Sequence, residues 1–485
     1  MFHYELSAAD MRRLRRHPAL PAAPGARAVR SVEYFDTPDA LLAARGLTLM
    51  RVRTGWQWRL ELCSPTGLEP DTASGLGWPA RSIWSVPCQP SRLELDGIAE
   101  RRWRDWLAGL DLCAQGTETI RAECLAVDTA AGPVEVWLER VEQRHASGSR
   151  TLARLHVLPG QDVAPAALLC RALLGAFALY PLLVPPVQQL RGAQTPLAAS
   201  RARPSLPAGR AGGPAFVHIA RNCVSHLCLN LPGLASCDAP EFVHQARVAI
   251  RRLRSALKLF APWLPSAFVT EFGERWRDIA NALGDCRNLD VFIAETLPLL
   301  ERELRQPDWA VRLRRAAGRR QRQARRAARA ALASPAFRLL LFDFELALAQ
   351  LEFPAHMPPL RKLARRRLMR RAAQVVRLGE AVRDLDPEAR HELRIAFKKL
   401  RYALEFFAGL FGEKRSKRYL AGLVDLQAVL GHLNDLATAQ LLVGALLPEA
   451  QARLVQAWLA GRSGALVDAL PAAIAHFLAA QPPWE

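Results

Sequence analysis

Lysine is scarce in this chain: six residues stand against sixty arginines, within 66 basic and 46 acidic residues and a formal net charge of +20 over 485 positions. GC-rich coding produces the same bias, so the ratio alone assigns nothing. It does set the available chemistry, because a guanidinium fork holds two phosphate oxygens at once and an ammonium acts as a point charge. Paired cysteine motifs are missing too. Nine cysteines are scattered with no CxxC pair and no His/Cys cluster at zinc spacing, which argues against a structural zinc site and for a reducing cytoplasmic compartment, with Cys223 and Cys228 as core thiols. No apolar run reaches membrane-spanning length: LLCRALLGAFALYPLLV at 168–184 is broken by Arg171 and Pro181. The opening MFHYELSAADMRRL lacks the basic, apolar and small-residue succession of a signal peptide. The expectation is a cytoplasmic protein with no membrane partner.

Half of the residues are hydrophobic, which marks a globular chain with room for two or three domains. The charge points to a polyanion, whether nucleic acid, an anionic surface or a phosphate polymer. Roughly +15 of the excess lies beyond residue 210. Acidic residues are locally absent there. None occurs between Glu241 and Glu271, from Trp309 to Phe342, or from Phe353 to Gly379.

A long motif occurs twice in that half. HQARVAIRRLRSALKLF at 244–260 and HELRIAFKKLRYALEFF at 391–407 are offset by 147 residues, and LGDCRNL from Leu283 meets LGHLNDL from Leu430 at the same offset. The copies therefore stay in register without a gap, as internal repeats do. On a helix, positions i, i+3, i+7 and i+10 fall within an arc of roughly 80°. They hold His244, Arg247, Arg251 and Arg254, continued by Lys258, in the first copy, and His391, Arg394, Lys398 and Arg401 in the second. Arg252 and Lys399 are equivalent cations just off the stripe. The opposite face carries Val248, Ile250, Leu253 and Leu257, matched by Ile395, Phe397, Leu400 and Leu404, and predicts docking into a bundle. A solvated face laced with i,i+4 ion pairs would need carboxylates that the first copy lacks; the second has Glu392 and Glu405, the latter replacing Lys258.

The patterns HxxRxxxRRxR and HxxRxxxKKLRY, with LGDxRNLD and the later LxxLGxLND, resemble the CHAD family, the conserved-histidine α-helical domain. The resemblance covers about residues 214–485. It implies two pseudo-repeated helical bundles, about 214–345 and 355–485, whose basic surface binds inorganic polyphosphate. The two stripes are the expected contacts, lining a shared groove if the copies pack about a pseudo-twofold. Secondary contacts are expected from Arg312, Arg315, Arg319, Arg322 and Arg326 in one basic run and Arg361, Lys362, Arg365, Arg366 and Arg370 in another. Such a polymer has no bases or sugars, so affinity must come from many phosphate contacts in parallel. His244 and His391 are expected to donate to phosphate and, on protonation, to tighten binding at mildly acidic pH. Asp386 before Pro387 is the expected cap of the second stripe helix.

Residues 1 to about 195 show β-type segments, LTLMRVR, WQWRLEL, VEVWLERV and TLARLHVL, between Gly, Pro and Ser clusters. YFDTPDALLAARGLTL from Tyr34, followed by Arg51 and Arg53, resembles the CYTH family of triphosphate-processing enzymes. That resemblance covers about 1–193 and implies an eight-stranded tunnel whose carboxylates hold Mg²⁺, the metal that neutralises the phosphate under attack. The implied carboxylates are not there. The first strand keeps only Glu5 of an ExExK pattern, and Leu152, Arg154 and His156 stand where late-strand acids belong; Glu135 and Glu139 remain nearby. The domain is expected to be catalytically degenerate, with no catalytic residue, no metal site and no cofactor; Mg²⁺ would enter only if it were active. Arg51, Arg53, Arg59 and Arg121 are candidates for a residual anion site. From Arg191 to Gly213 the Pro-, Gly- and Ala-rich RGAQTPLAASRARPSLPAGRAGG reads as a linker, placed at 194–213.

The expected fold class is α+β in two domains: an N-terminal antiparallel β-barrel or tunnel and a C-terminal all-α domain. The expected function is noncatalytic binding of inorganic polyphosphate, with placement at polyphosphate granules. The alternatives are an inorganic triphosphatase with a divergent metal site and a nucleic-acid-binding protein, although no zinc finger, RNA-recognition signature or row of stacking aromatics accompanies the basic stripes.

Overall fold

The computed structural model describes residues 2–64, 81–89, 93, 95–146, 148–181, 189–190, 199–201, 206, 211–304, 307–380 and 387–485. Most of the expected linker, and Asp386, lie outside the described residues. The chain forms two compact units, Met1–Ala198 with Ala333–Ala349, and Ala199–Leu332 with Gln350–Glu485.

The first unit is built on nine strands: β1 (Phe2–Leu6), β2 (Ala26–Asp36), β3 (Thr48–Thr54), β4 (Gln57–Ser64), β5 (Arg81–Pro87), β6 (Cys113–Thr129), β7 (Gly132–His145), β8 (Gly148–Leu158) and β9 (Tyr180–Pro181). Their order is β5-β4-β3-β2-β6-β7-β8-β1-β9 in one antiparallel sheet. The expected barrel does not close. Among the described residues β5 and β9 are free edges, and β9 is only two residues long. A bulge at Tyr34/Phe35 bends β2 opposite Gly116. Only glycine fits there, since φ is +151° and a Cβ would lie 2.6 Å from the Arg144 carbonyl oxygen.

Strand alternation sorts the side chains onto two faces. One face carries Phe2, Tyr4, Leu6, Val136, Leu138, Leu155 and Val157, packed with Met11 and Leu14 of α1 (Ala8–Leu14) and with Leu169, Leu173 and Leu174. Leu169, Leu173 and Leu174 belong to α4 (Ala164–Ala176), and the short α2 (Leu41–Ala44) and α3 (Arg101–Ala108) close a smaller apolar cluster around Leu49 of β3 and Leu60 and Leu62 of β4. The helix α12 (Pro335–Ala349) packs against α4 and adds Phe342, so the last residues of the stretch 214–345 expected to form the first helical repeat belong to the sheet unit instead. The opposite face buries Val32, Tyr34, Ile120, Val141 and Leu152 around Leu190.

That second face also buries charge. Arg154 donates to Glu118 at 3.0 Å, and Tyr34 and Gln143 donate to the same carboxylate. Both partners are almost inaccessible, at 4% and 0% side-chain exposure.

The second unit is helical throughout its described residues. In order it contains α5 (Gly212–Cys228), α6 (Leu231–Ser236), α7 (Pro240–Phe260), α8 (Ser266–Ala282), α9 (Gly284–Val291), α10 (Leu297–Leu304), α11 (Pro307–Ala333), α13 (Leu360–Glu380), α14 (Pro387–Phe407), α15 (Glu413–Leu446) and α16 (Glu449–Leu478). The bounds of α7 and α14 differ by the same 147 residues as the sequence copies. Ile250, Leu253, Leu257, Phe397, Leu400 and Leu404 are all buried, as the apolar stripes predict. The equivalent residues Phe260 and Phe407 meet with ring centroids 6.0 Å apart, the contact expected at a local twofold. Among the described residues no helix is long and apolar enough to cross a membrane.

Removing one partner of a buried ion pair leaves the other charge unpaired, which costs about 3–5 kcal/mol. Arg154→Ala is expected to destabilise the sheet unit by that amount, and Glu118→Gln added to it to recover part of the loss. Denaturant unfolding followed by tryptophan fluorescence measures this; a loss below about 1 kcal/mol would mean that the pair is solvated.

Candidate functional site: a cluster of cations between the two repeat helices

Helix α7 starts at Pro240, a residue suited to a first turn because it needs no hydrogen-bond donor there. Once its apolar face docks, Arg247 and Arg251 come close to Arg394 and Lys398, which project from the equivalent stripe of α14, while His244 lies beside Arg287. Arg251 Nε donates to the Tyr402 hydroxyl, and its guanidinium lies 5.4 Å from that ring's centroid. Arg247 donates to the Ala280 carbonyl at 3.2 Å. It passes beside Gly284, where a Cβ would be 3.1 Å from its Nη1.

These groups are partly withdrawn from water and surrounded by charges of their own sign. Burial, then Arg251, Arg287 and Arg394, pull Arg247 down to about 10 against the opposing Asp285. Burial, then Arg251, Arg394 and Arg247, pull Lys398 down to about 6, with Asp435 acting the other way. Arg394 is lowered by burial and Arg251 and supported by Asp435; its Nε is buried without a hydrogen-bond partner among the described residues. His244 falls to about 4, through burial and then Arg287, with Glu241 opposing and Arg251 and Arg247 adding to the fall. It is therefore neutral at mildly acidic pH in the free protein. His391, by contrast, is exposed.

A second group continues along α7. Arg254 is lowered by burial and Arg277, Lys258 by burial, Arg254 and Arg371, and Lys399 by burial, Arg371 and Lys258. Four helices thus contribute, because Arg277 comes from α8 and Arg371 from α13.

Two of the expected contacts serve the fold instead. Arg252 is 2% exposed, with its guanidinium 5.3 Å from the Phe406 ring centroid and 3.8 Å from Glu405. Arg401 donates to Glu405 at 2.6 Å and to Gln427 at 2.9 Å. The glutamate that replaces Lys258 in the second copy therefore occupies two cations.

Arg361, Lys362, Arg365, Arg366 and Arg370 are exposed on α13, and Arg312, Arg315, Arg319, Arg322 and Arg326 are exposed on α11. The α13 residues that turn inward are Arg367, stacked 4.7 Å from the Trp263 centroid, and Arg371. Sequence reasoning missed Arg287, and it placed Arg371 only within the basic run at 361–371 without singling it out. Both lay within motifs already noted, Arg287 in LGDCRNL, but only tertiary packing brings them to the stripes.

In the sheet unit the four arginines expected to line one tunnel do not converge. The register pairs Arg51 with Glu33 and Leu60, but pairs Arg59 with Val52, so Arg51 and Arg59 project from opposite faces. Arg51 is ion-paired to Glu33, Arg53 donates to the Gly55 carbonyl at 3.1 Å, Arg59 donates to Ser85, and Arg121 is exposed. Leu152, Arg154 and His156 do share the second buried face, as the sequence alignment required. The carboxylates they meet are already engaged. Burial raises the Glu118 carboxyl, but the charge and hydrogen bonds of Arg154, with those of Gln143 and Tyr34, outweigh it and hold it below the usual range. Burial likewise opposes ionisation of Glu139, and His156, Arg30 and Arg154 bring it to about 2. Glu135 is exposed and accepts from Trp137. Gln189 bonds Glu5 at 3.1 Å and Leu190 fills the centre of the face. Among the described residues no group of three or more His, Cys, Asp or Glu is arranged to hold a metal ion.

The model of the CHAD domain matches residues 218–444. The crystal structure of the CHAD domain from the plant Ricinus communis is 30% identical, with a TM-score of 0.51 over 58% of this chain and 98% of its own. PptA from Streptomyces chartreusis is 17% identical, with a TM-score of 0.44 over 55% of this chain and 99% of its own. A Hippeastrum protein described as an adenylyl cyclase with a dominant triphosphatase activity is 13% identical, with a TM-score of 0.27 over 40% of this chain and 94% of its own. No curated protein matches the chain. The motif pairs at offset 147, the family model over the cation cluster and the near-complete coverage of the Ricinus domain agree: the chain belongs to the CHAD family.

Proposed function

We propose that the helical unit binds inorganic polyphosphate through the cations between α7 and α14, without catalysis, and that this binding carries the protein to polyphosphate granules. The observation behind this reading is the cluster of Arg247, Arg251, Arg394 and Lys398, facing one another with Asp285 and Asp435 as the opposing charges. Such an arrangement is unfavourable in the free protein and becomes favourable when a polyanion replaces the missing carboxylates. Guanidinium groups held on rigid helices lose little ordering entropy on binding, and phosphate oxygens match their fork geometry. The contacts assigned are His244, Arg247, Arg251, Arg394 and Lys398, continued by Arg254, Lys258, Lys399 and the added Arg287 and Arg371. The sheet unit is read as noncatalytic, since Glu118 and Glu139 would have to leave Arg154, Arg30 and His156 before they took Mg²⁺.

Long-chain polyphosphate is expected to bind the full-length protein tightly at low salt and progressively more weakly as salt rises. Charge reversal of Arg247, Arg251, Arg394 and Lys398 together is expected to lower affinity about a thousandfold, at about 1 kcal/mol for each of four contacts. Circular dichroism checks that the helices persist; unchanged affinity in a folded variant places the site elsewhere. Phosphate released from tripolyphosphate with Mg²⁺ in the same assay would restore the enzymatic reading.

Binding is also expected to take up protons. Lys398 titrates near 6 in the free site, facing Arg247 and Arg251 of α7, Arg394 of its own helix and Asp435 of α15, and a bound polyanion raises that value. Between the free and bound values the complex holds the extra proton, so affinity rises as pH falls from 8 toward 6 and levels below it. Titrations across pH should lose most of this slope in Lys398→Gln and keep it in His391→Gln. The reverse would return the role to the histidine.

The same repulsion predicts a stability gain. Lys398→Met is expected to stabilise the ligand-free protein by about 0.5–2 kcal/mol while weakening polyphosphate binding. Thermal unfolding without ligand tests the first half; a destabilised variant would show that the repulsion is already compensated.

A further inference from the structure

Helix α11 is locked in rotation by its inner side. Leu313, Ala317, Ala328 and Leu332 are buried there, and Arg325 is ion-paired to Asp290 at 2.7 Å while Arg329 reaches Asp238 at 3.0 Å. The outer side is thereby fixed as well. Arg312, Arg315, Arg319, Arg322 and Arg326 recur at i, i+3, i+7, i+10 and i+14, which places all five on one face over about 21 Å of helix. Every one is exposed. Arg314, which turns toward α10, is paired to Glu301, whereas no described carboxylate lies within ion-pair distance of any of the five. The helix thus sorts its arginines into those used by the fold and a straight row that is not.

The row is separate from the site between α7 and α14. The charges that act on His244, Arg247, Arg394 and Lys398 come from α7, α9, α14 and α15. Those acting on Arg254, Lys258 and Lys399 come from α7, α8, α13 and α14. No α11 arginine is among either set.

We propose that the outer face of α11 holds a second strand of the phosphate polymer, so that one molecule bridges two polyphosphate chains. This rests on the reading of the helical unit as a polyphosphate binder. The row offers guanidinium groups without aromatic partners, whereas single-stranded nucleic acid is held by stacking. Membrane-surface helices present a broad apolar face beside their cations, and α11 buries its apolar face in the bundle. Two sites on one rigid unit raise the effective concentration of the second strand once the first is bound. A pure binder becomes a cross-linker.

The test mixes donor-labelled and acceptor-labelled long-chain polyphosphate with the full-length protein and reads energy transfer between chains. Wild type is expected to produce transfer. The variant with Arg312→Gln, Arg315→Gln, Arg319→Gln, Arg322→Gln and Arg326→Gln is expected to lose it while still binding a single labelled chain; all five positions face solvent, so the fold is retained. Arg247→Gln with Arg394→Gln is expected to abolish transfer from the other side. Wild type that binds the polymer without transfer, or a quintuple variant that keeps transfer, overturns the bridge and leaves the polyphosphate reading standing. Wild type that binds no polymer overturns that reading itself. Duplex DNA and vesicles of anionic lipid are run at matched phosphate; loss of their binding in the quintuple variant with polymer bridging intact would assign the face to them instead.

Discussion

Like-charge repulsion held in place by apolar packing is the constraint on which the helical unit depends. Phe260 and Phe407 meet across the local twofold, and Ile250, Leu253, Leu257, Phe397, Leu400 and Leu404 are buried beside them. Each such side chain contributes about 1.5–3 kcal/mol on leaving water. This packing holds Arg247, Arg251, Arg394 and Lys398 together although the three arginines depress the ionisation of their neighbours. The fold supplies the force, and the cations supply the unsatisfied potential that a polyanion relieves.

The two copies do not share this work equally. Glu405 stands where the first copy has Lys258, and it draws Arg401 and the buried Arg252 into internal contacts. The first stripe has no ion-paired carboxylate among the described residues, while the second contributes mainly Arg394, Lys398 and Lys399.

Much of this was legible in the sequence because it depends on period. The 3.6-residue repeat gave both the apolar face and the cationic stripe of α7 and α14, and the constant offset paired the two helices. What periodicity cannot carry is the contribution of other elements. Arg287 and Asp285 arrive from α9, Asp435 from α15 and Arg371 from α13, and these set how far Lys398 and His244 are shifted. The depressed value of His244 followed from that packing. In the sheet, alternation placed Arg154 and His156 on one face correctly, but assigning Arg51 and Arg59 to a common tunnel required the β3–β4 register, and the missing closure was invisible to strand propensity.

The two units solve the same electrostatic problem in opposite ways. On the buried face of the sheet, Glu118 is satisfied by Arg154, Tyr34 and Gln143, and Glu139 by Arg30 and His156. A ligand entering there must first separate charges that are already paired, at about 3–5 kcal/mol for a buried pair. Between α7 and α14 no such separation is needed. Arg394 Nε is buried without a hydrogen-bond partner among the described residues, and burial with the neighbouring arginines pulls Lys398 down to about 6. An anion placed there would meet cations that no carboxylate ion-pairs among the described residues, which is why the proposed phosphate-chain site is put in the helical unit and not on the sheet.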